Sequence, residues 1–369
     1  MSEYIVRKFN VQDIENVISF NKRLRLKGSN IFFLEEPFSF LLPNVKGRDL
    51  YREHYICIDN SNEVRGGYVL HSQLYYINGE YHRLVDFILP ISEGLIDKKY
   101  NLVIFSLIQH AQKKCSNLFA LGMGGRNSKI AKFHKANRWI FNTIPFFFKI
   151  YNVSSFLKNL NIFKSTNSLR LIAKILDKLL FVHFLIHVFN FFYSFKYKNK
   201  LCEYEQIKKF DNWADLIWNE AKDSYYFIAK KDYNTLNILY SSNKNLILLR
   251  IYERESTVGW CVLKKSNLSG HNHFGDMILG SIIDVLSIPG KEELIIAVIM
   301  KYFDQNSVDL LVTNQSHIKY ISSLRKFGFF KGPSNFEFAT SRKLSKLLNN
   351  ENINNFHINR GDGDGPKNL

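Results

Sequence analysis

The chain has 369 residues, with 50 Lys and Arg against 33 Asp and Glu, and a formal net charge of +17. The length suggests about two domains, and 46% hydrophobic and 15% aromatic residues exclude a disordered chain. The four cysteines lie far apart and fit neither a zinc site nor a disulfide scaffold. Because the N-terminus has no apolar stretch, we predict a cytoplasmic protein without a signal peptide.

The basic residues are spread along the chain rather than gathered in one arm. An excess of Lys and Arg favours acidic partners, such as phosphates, nucleic acid or an anionic membrane. The abundance of Asn, Ile, Lys and Phe also indicates a general compositional bias. We therefore prefer a phosphate-bearing ligand to dedicated nucleic-acid binding.

Hydrophobic periodicity and turn residues predict the elements of the first half of the chain. Asn78-Gly79 is typical of a two-residue hairpin turn, and Gly28 ends the first helix. The order is strand, helix, three antiparallel strands, helix, strand, helix and strand, at residues 4–9, 11–26, 55–58, 65–76, 81–89, 101–114, 117–121, 128–137 and 145–151.

A similar order recurs in the second half. Its elements are predicted at residues 203–220, 246–252, 257–264, 280–286, 292–303, 308–313, 317–326 and 335–339. Asp86 near Pro90 and Asp284 near Pro289 suggest a shared register. The sequence therefore predicts an α/β protein with mixed sheets and a duplicated domain rather than a solenoid.

The domain boundaries follow from this repeat. We predict an N-terminal domain at 1–152, an aromatic and basic helical connector at 153–200, a C-terminal domain at 201–345 and a polar tail at 346–369. The connector contains the apolar run 179–195, which is slightly short for a transmembrane helix of about 20 residues. A buried connecting helix is preferred to an in-plane membrane helix, and a true span is the third alternative.

Two stretches of the first half resemble the GCN5-related N-acetyltransferase (GNAT) superfamily. YIVRKFNVQDIENVISFNKRL at 4–24 is similar to its first strand and helix, and ALGMGGRNSKIAKFHKANRWIF at 120–141 is similar to its fifth strand and fourth helix. That helix often contains Asn, six further residues and Tyr, a spacing matched by Asn127 and His134. Arg138-Trp139 stands at the usual Gly-Phe place, whereas in the second half Leu324 stands at the Tyr position.

Further segments resemble a bacterial double-GNAT group associated with surface-polysaccharide synthesis. They are Ser92-Glu-Gly94, ALGMGG at 120–125, SNFEFATS at 334–341 and FHINRGDGDGP at 356–366. The resemblance implies two tandem GNAT-like domains and an acyl-CoA-dependent N- or O-acyltransferase. It implies acetyl-CoA as the donor substrate, a sugar or polysaccharide precursor as the acceptor, and no metal or redox cofactor.

The resemblance also implies roles for particular residues. At the family's Tyr position, His134 is expected to be the acid that protonates the departing thiolate, and Asn127 to be a further catalytic residue. Asp86 lies within an apolar strand that faces the predicted cleft, and this position makes it the expected general base. The expected donor-binding residues lie in the loops after the fourth and fifth strands, namely Ser92, Gly94, Lys98, Lys99, Gly122, Gly124 and Gly125.

Structural alternatives stand beside each of these roles. Asp86 could pair with a base such as Arg83, His134 could be a helix-surface histidine, and the glycines could simply form a turn. In the tail, Asp362 and Asp364 are compatible with a segment folded over the cleft, a flexible tail or a metal site, although a calcium loop needs a longer ligand series.

Two other functions remain open from the sequence. Peptidoglycan-bridge enzymes also pair two GNAT-like domains and take aminoacyl groups from tRNA, whose phosphates would suit the positive charge. A catalytically degenerate binding or scaffold protein is the third reading, because the loops after Pro90 and Pro289 both carry acidic residues. Contact with the inner face of the cell membrane is expected only if 179–195 lies in the interface.

Overall fold

The computed structural model describes residues 4–35, 49–159, 188, 193, 202–271 and 274–363. They form two compact units, each built from more than one stretch of chain. The first takes the described residues of Met1–Tyr75, Glu80–Asn142 and Glu337–Glu351. The second takes those of Tyr76–Gly79, Thr143–Phe336 and Asn352–Leu369.

The described strands are numbered in chain order. They are β1 Ile5–Lys8, β2 Tyr51–Ile58, β3 Val64–Ile77, β4 Glu80–Ser92, β5 Leu118–Gly122, β6 Ile140–Thr143, β7 Phe146–Ile150, β8 Cys202–Ile207, β9 Phe227–Ala229, β10 Leu246–Glu253, β11 Ser256–Asn267, β12 Ile278–Ser287, β13 Leu310–Asn314, β14 Phe330–Gly332, β15 Glu337–Thr340 and β16 Phe356–His357.

The α-helices of the described residues are numbered in the same way. They are α1 Ile14–Leu26, α2 Val103–Lys114, α3 Lys129–Ala136, α4 Val153–Asn159, α5 Trp213–Ala221, α6 Tyr233–Leu236, α7 Glu292–Gln305, α8 Ile318–Lys326 and α9 Arg342–Leu347. Most predicted elements are therefore present, with ends shifted by a few residues.

The two sheets have the same strand order. The first runs β1-β2-β3-β4-β5-β15-β6 and the second runs β8-β10-β11-β12-β13-β7-β14. Both are mixed, because β4 pairs in parallel with β5 and β12 with β13, whereas the other neighbouring pairs with a described register are antiparallel. The predicted duplication of one α/β topology is confirmed.

The closing strand of each half completes the sheet of the other half. β7 follows β6 in the chain but pairs antiparallel with β13 and β14. In return β15, which follows β14, pairs antiparallel with β5. The predicted contiguous domains 1–152 and 201–345 do not include this exchange, since strand formation is a local property and strand pairing is not.

Each sheet packs its own apolar side chains. In the first unit, Val17, Phe20 and Leu24 of α1 face one side of the sheet, whereas Val103 and Leu107 of α2 face the other. The second unit buries a larger cluster around α7, in which Ile295–Met300 are all fully buried. Helices cover both faces of the mixed sheets, as a two-sided apolar surface requires.

Most of the predicted connector at 153–200 lies outside the described residues, apart from α4, Val188 and Tyr193. The interpretation of the run 179–195 as a connecting or membrane helix therefore stays a prediction. Within the described part of the chain, no helix combines the length and apolar character needed to cross a membrane.

The strand exchange makes a specific prediction about Phe147. This residue of β7 is fully buried in the core of the second unit. Phe147→Ala should lower the free energy of unfolding of that unit by about 3–5 kcal/mol, because it removes an aromatic side chain from a packed core. Hydrogen exchange should accelerate in β10 of the second unit and stay unchanged in β2 of the first.

Phe105→Ala is the matched control, since Phe105 is 44% exposed on α2. This variant should leave the free energy of unfolding and the hydrogen exchange of both units close to those of wild type. Faster exchange in the first unit alone after Phe147→Ala would contradict the placement of β7.

Candidate active site

The first unit has an opening where two parallel strands part. β4 and β5 pair through Val85 with Leu118 and through Asp86 with Phe119. Both strands then continue, β4 to Ser92 and β5 to Gly122. Beyond the parting, Leu89 of β4 adopts a left-handed φ of 50°, a conformation rare for leucine, which marks a local distortion of the strand.

Asp86 lies at the point where the strands part, and it is 3% exposed. In β2 and β3, Arg52 pairs directly with His71. The Asn78–Gly79 turn has two residues, so Ile77 at the end of β3 faces Glu80 at the start of β4. Counting back along both strands from this pair places His71 opposite Asp86. The 2.8 Å contact between Arg83 and Asp49 fits this register.

Arg52, His71 and Asp86 therefore form one polar row across three adjacent strands. His54 stands two residues after Arg52 on β2, and Gln73 stands two residues after His71 on β3. Because side chains alternate between the two faces of a strand, both point to the same face as the row. His54, His71, Gln73 and Asp86 are all buried. We name these five residues the polar row cluster; the sequence analysis predicted only Asp86.

His134 lies on the opposite face of the sheet from Asp86. Its ring packs on Phe87, at 5.9 Å between centroids, and on Trp139, at 4.1 Å. Successive strand residues point to opposite faces, so Asp86 and Phe87 point apart. His134 is fully buried, and burial lowers its pKa to about 3. The structure does not bring the predicted acid and base together.

The turns that end α3 and α8 allow the positions of His134 and Leu324 to be compared. Arg138 adopts a φ of 59°, and the equivalent Gly328 has a φ of 81°. The following backbone N–H groups of Trp139 and Phe329 both donate at 3.0 Å, to the carbonyls of His134 and Leu324. His134 and Leu324 thus hold corresponding places at the ends of α3 and α8.

The glycine-rich loop after β5 has an unusual backbone. Gly122, Met123, Gly124 and Gly125 all have φ between 49° and 97°. Such a run is costly for residues other than glycine, and a Cβ added at Gly124 would meet only the Ser128 Cβ, at 4.0 Å. Asn127, which follows the loop, is exposed. The loop directly follows β5, one of the two strands that border the opening, and the donor-binding role of Gly122, Gly124 and Gly125 stays a prediction.

Ion pairs between Glu93 and two arginines hold the loop after β4 in place. Glu93 is buried and accepts hydrogen bonds from Arg23 at 2.8 Å and Arg65 at 2.9 Å. Arg65 also pairs with Asp59 at 2.7 Å. Ser92 is buried and Gly94 half-buried beside this network, whereas Lys98 and Lys99 are exposed on the next turn.

The first unit suits a pyrophosphate better than the second. The first turn of α2 contains no acidic residue and no side-chain cap, so its N-terminal N–H groups suit an anion. The first turn of α7 instead contains Glu292 and Glu293. The nearby Lys291 is paired with Glu253 at 2.5 Å.

In the second unit, β12 and β13 also part. Their parallel pairing ends at Ser281 and Val312, whereas β12 continues to Ser287. Asp284 lies beyond the parting and is fully buried. Its Oδ2 accepts from Lys231 at 2.6 Å and Tyr240 at 2.8 Å.

Asp86 and Asp284 do not hold corresponding places, in contrast to the prediction. A Cβ on Gly66 would meet the Ile91 carbonyl at 2.6 Å and Ser92, and one on Gly259 would meet the Leu286 carbonyl at 2.4 Å and Ser287. Ser92 and Ser287 are therefore equivalent. Asp86 lies six residues before the first of these serines, and Asp284 only three before the second.

No metal-ligand group of three or more His, Cys, Asp or Glu occurs among the described residues. Asp362 contacts Lys231 at 3.1 Å, and Asp364 lies outside the described residues. The tail up to Gly363 is thus accounted for by protein contacts in the second unit.

No family model matches the sequence, and no curated protein is significantly similar to it in sequence. Solved structures are similar in fold. A GCN5-related N-acetyltransferase from Anabaena variabilis matches with a TM-score of 0.55 and 8% identity, over 91% of this chain and 72% of that one. Saccharomyces cerevisiae N-myristoyltransferase, solved with bound myristoyl-CoA, matches with a TM-score of 0.53 and 10% identity, over 92% and 83% of the two chains.

A third structure is the GCN5-related glucosamine N-acetyltransferase region of a fungal multi-domain β-N-acetylglucosaminidase. It matches with a TM-score of 0.51 and 12% identity, over 92% of this chain and 38% of that one. At these identities the similarity concerns the fold alone. The shared strand order, the two parted strand pairs and these structural matches show that the chain has the fold of the GCN5-related N-acetyltransferases.

Proposed function

We propose that the chain is an acyl-CoA-dependent N- or O-acyltransferase whose reaction takes place in the first unit. The observation that carries this proposal is the polar row cluster at the parting of β4 and β5. It places a buried carboxylate, Asp86, on the same sheet face as two histidines and an arginine. That combination is suited to accept and hold a proton.

The donor would lie in the opening of the first unit. Parted strands leave room for the amides of a pantetheine arm, and the N-terminus of α2 with Lys98 beside it favours the pyrophosphate. Gly122, Gly124 and Gly125 would let the donor approach the backbone closely. Acetyl-CoA is the proposed donor.

The reaction would be a direct transfer. The acceptor nitrogen or oxygen attacks the thioester carbonyl, its bond to the carbonyl carbon forms, and the bond to sulfur breaks. Asp86 takes the proton of the acceptor, with His71 level with it to share the charge. The thiolate leaves and takes a proton from solvent, since His134 faces the other side of the sheet.

The acceptor is proposed to be a sugar or a polysaccharide precursor. Support comes from the resemblance to proteins associated with surface polysaccharides and from the structural match to a glucosamine N-acetyltransferase region. Arg52 in the same row would favour an acceptor that carries a phosphate or carboxylate.

Acetyl-CoA binding to the full-length protein separates this proposal from its alternatives. Binding of acetyl-CoA with turnover of amino-sugar acceptors supports it. Salt-sensitive binding of aminoacyl-tRNA without acetyl-CoA binding would favour the aminoacyl transfer, and neither binding would favour a scaffold role.

Asp86→Asn tests the proposed base. It should lower the turnover of acetyl transfer by about 10²–10⁴-fold, the range for loss of a general base, with little change in acetyl-CoA affinity. The deficit should shrink as the pH rises, because more of the acceptor is then already deprotonated. Asp211→Asn, on an exposed residue of the second unit, is the control and should leave turnover unchanged. Equal turnover of Asp86→Asn and wild type would rule out this base.

His134→Phe tests whether the histidine is catalytic or structural. The lowered pKa of about 3 means that the fold favours the neutral ring. Its contribution to stability is therefore present above the unfolded pKa of about 6.5 and is lost as the pH falls towards 3. Between pH 7 and pH 5 wild type should lose about 2 kcal/mol more unfolding free energy than His134→Phe, measured for the first unit by denaturant titration.

The same variant should keep most of its acetyl transfer at pH 7.5, because Phe can fill the aromatic cluster. A loss of 10²-fold or more in turnover with intact acetyl-CoA binding would instead restore the predicted acid role of His134.

A further inference from the structure

The C-terminal residues Phe356–Asp362 lie inside the second unit. β16 pairs in parallel with β9. The Ser316 backbone N–H donates to the Ile358 carbonyl at 3.1 Å, and the Ile358 N–H donates to the Ser316 hydroxyl at 2.8 Å. An isolated antiparallel bridge then joins Gln315 and Asn359. The segment is thus hydrogen-bonded to the residues that directly follow β13.

The same segment also reaches β12. The His357 Nε2 donates to the Val285 carbonyl at 2.9 Å, and the Asn359 Nδ2 donates to the Asp284 Oδ1 at 2.6 Å. Both acceptors lie beyond the point where β12 and β13 stop pairing. The segment therefore fills the strand opening of the second unit, as an extended peptide does when it binds a sheet edge.

A buried charge cluster fixes the end of the segment. The Lys231 Nζ lies 2.6 Å from the Asp284 Oδ2 and 3.1 Å from the Asp362 Oδ1, and all three side chains are buried. Burial alone would lower the pKa of Lys231, but the two carboxylates raise it, so the ammonium stays charged. A buried ammonium of this kind requires an anionic partner.

Gly361 leaves no space for a side chain. A Cβ there would lie 2.4 Å from the Tyr240 hydroxyl and 2.9 Å from the Asp284 Cβ. The Gly361 N–H is itself bonded to the Asn359 Oδ1 at 3.0 Å. The fit therefore specifies glycine at this position, followed by a carboxylate that reaches Lys231.

We propose that the second unit binds Phe356–Asp362 as an internal peptide ligand that closes its strand opening, with Lys231 selecting the carboxylate at position 362. The donor site of the chain is thereby confined to the first unit. Only this last consequence rests on the proposed acyltransferase function; the binding of the segment does not.

Hydrogen exchange on the full-length protein tests the proposal. Gly361→Ala should accelerate exchange at the amides of Phe356–Asp362 by at least about 10-fold, because the added methyl group collides with Tyr240 and Asp284. Asp362→Lys should do the same, since it would place two ammonium groups side by side in a buried site.

Asp362→Asn keeps the shape and removes the charge that Lys231 contacts, so it should also accelerate exchange in the segment, by less than Asp362→Lys. Wild-type protection in this variant would overturn the selection of a carboxylate by Lys231. One control matches these variants. Asn354→Ala, just before the segment, should behave as wild type. If Gly361→Ala and Asp362→Lys both keep wild-type protection, the segment is not held by these contacts and the proposal fails.

Exchange in β10 shows whether a variant has unfolded the second unit instead. Loss of protection there in both Gly361→Ala and Asp362→Lys, with Asn354→Ala intact, also supports the proposal, since it shows that the unit depends on its bound segment. Addition of the peptide Phe-His-Ile-Asn-Arg-Gly-Asp-Gly in excess should then restore part of the protection.

The number of acetyl-CoA molecules bound per chain tests the consequence. Wild type should bind one; two would overturn the closure of the second opening. No binding at all would contradict the proposed function and leave the exchange result standing.

Discussion

The backbone hydrogen bonds of the two closing strands determine how the whole chain is organised. β7 lies between β13 and β14, and β15 lies between β5 and β6, so each is an interior strand of its sheet. An interior strand satisfies donors and acceptors on both sides, and its removal would leave two unpaired edges. Each unit therefore needs a strand from a distant part of the chain.

The exchanged strand β7 contains a buried lysine. Lys149 is 1% exposed, and its Nζ donates to the Phe327 carbonyl at 3.0 Å. Burial lowers its pKa to about 8. Such a group is tolerated only where a partner is supplied, which ties β7 to the turn that ends α8.

Local sequence signals predicted most elements, and pairing between distant elements explains what they missed. Asn78 and Gly79 have φ of 46° and 91°, as their hairpin turn requires. The residues of a closing strand do not indicate which strand it pairs with. Arg52 and His54 stand two residues apart, which places them on one face of a strand, but only the folded sheet shows that this face is also the one that carries Asp86. The side of the sheet occupied by His134 was likewise decided by tertiary packing.

The two strand openings surround their aspartates with different residues. In the second unit both oxygens of Asp284 are engaged, Oδ2 by Lys231 and Tyr240 and Oδ1 by Asn359. To take a proton from an acceptor, Asp284 would have to give up its bond to the buried Lys231, whose charge would then lack compensation. Asp86 instead stands level with a histidine, which can share a proton and release it again. The base role proposed for Asp86 and the structural role of Asp284 thus follow from the residues at the same level of the sheet, and not from the strand that carries each aspartate.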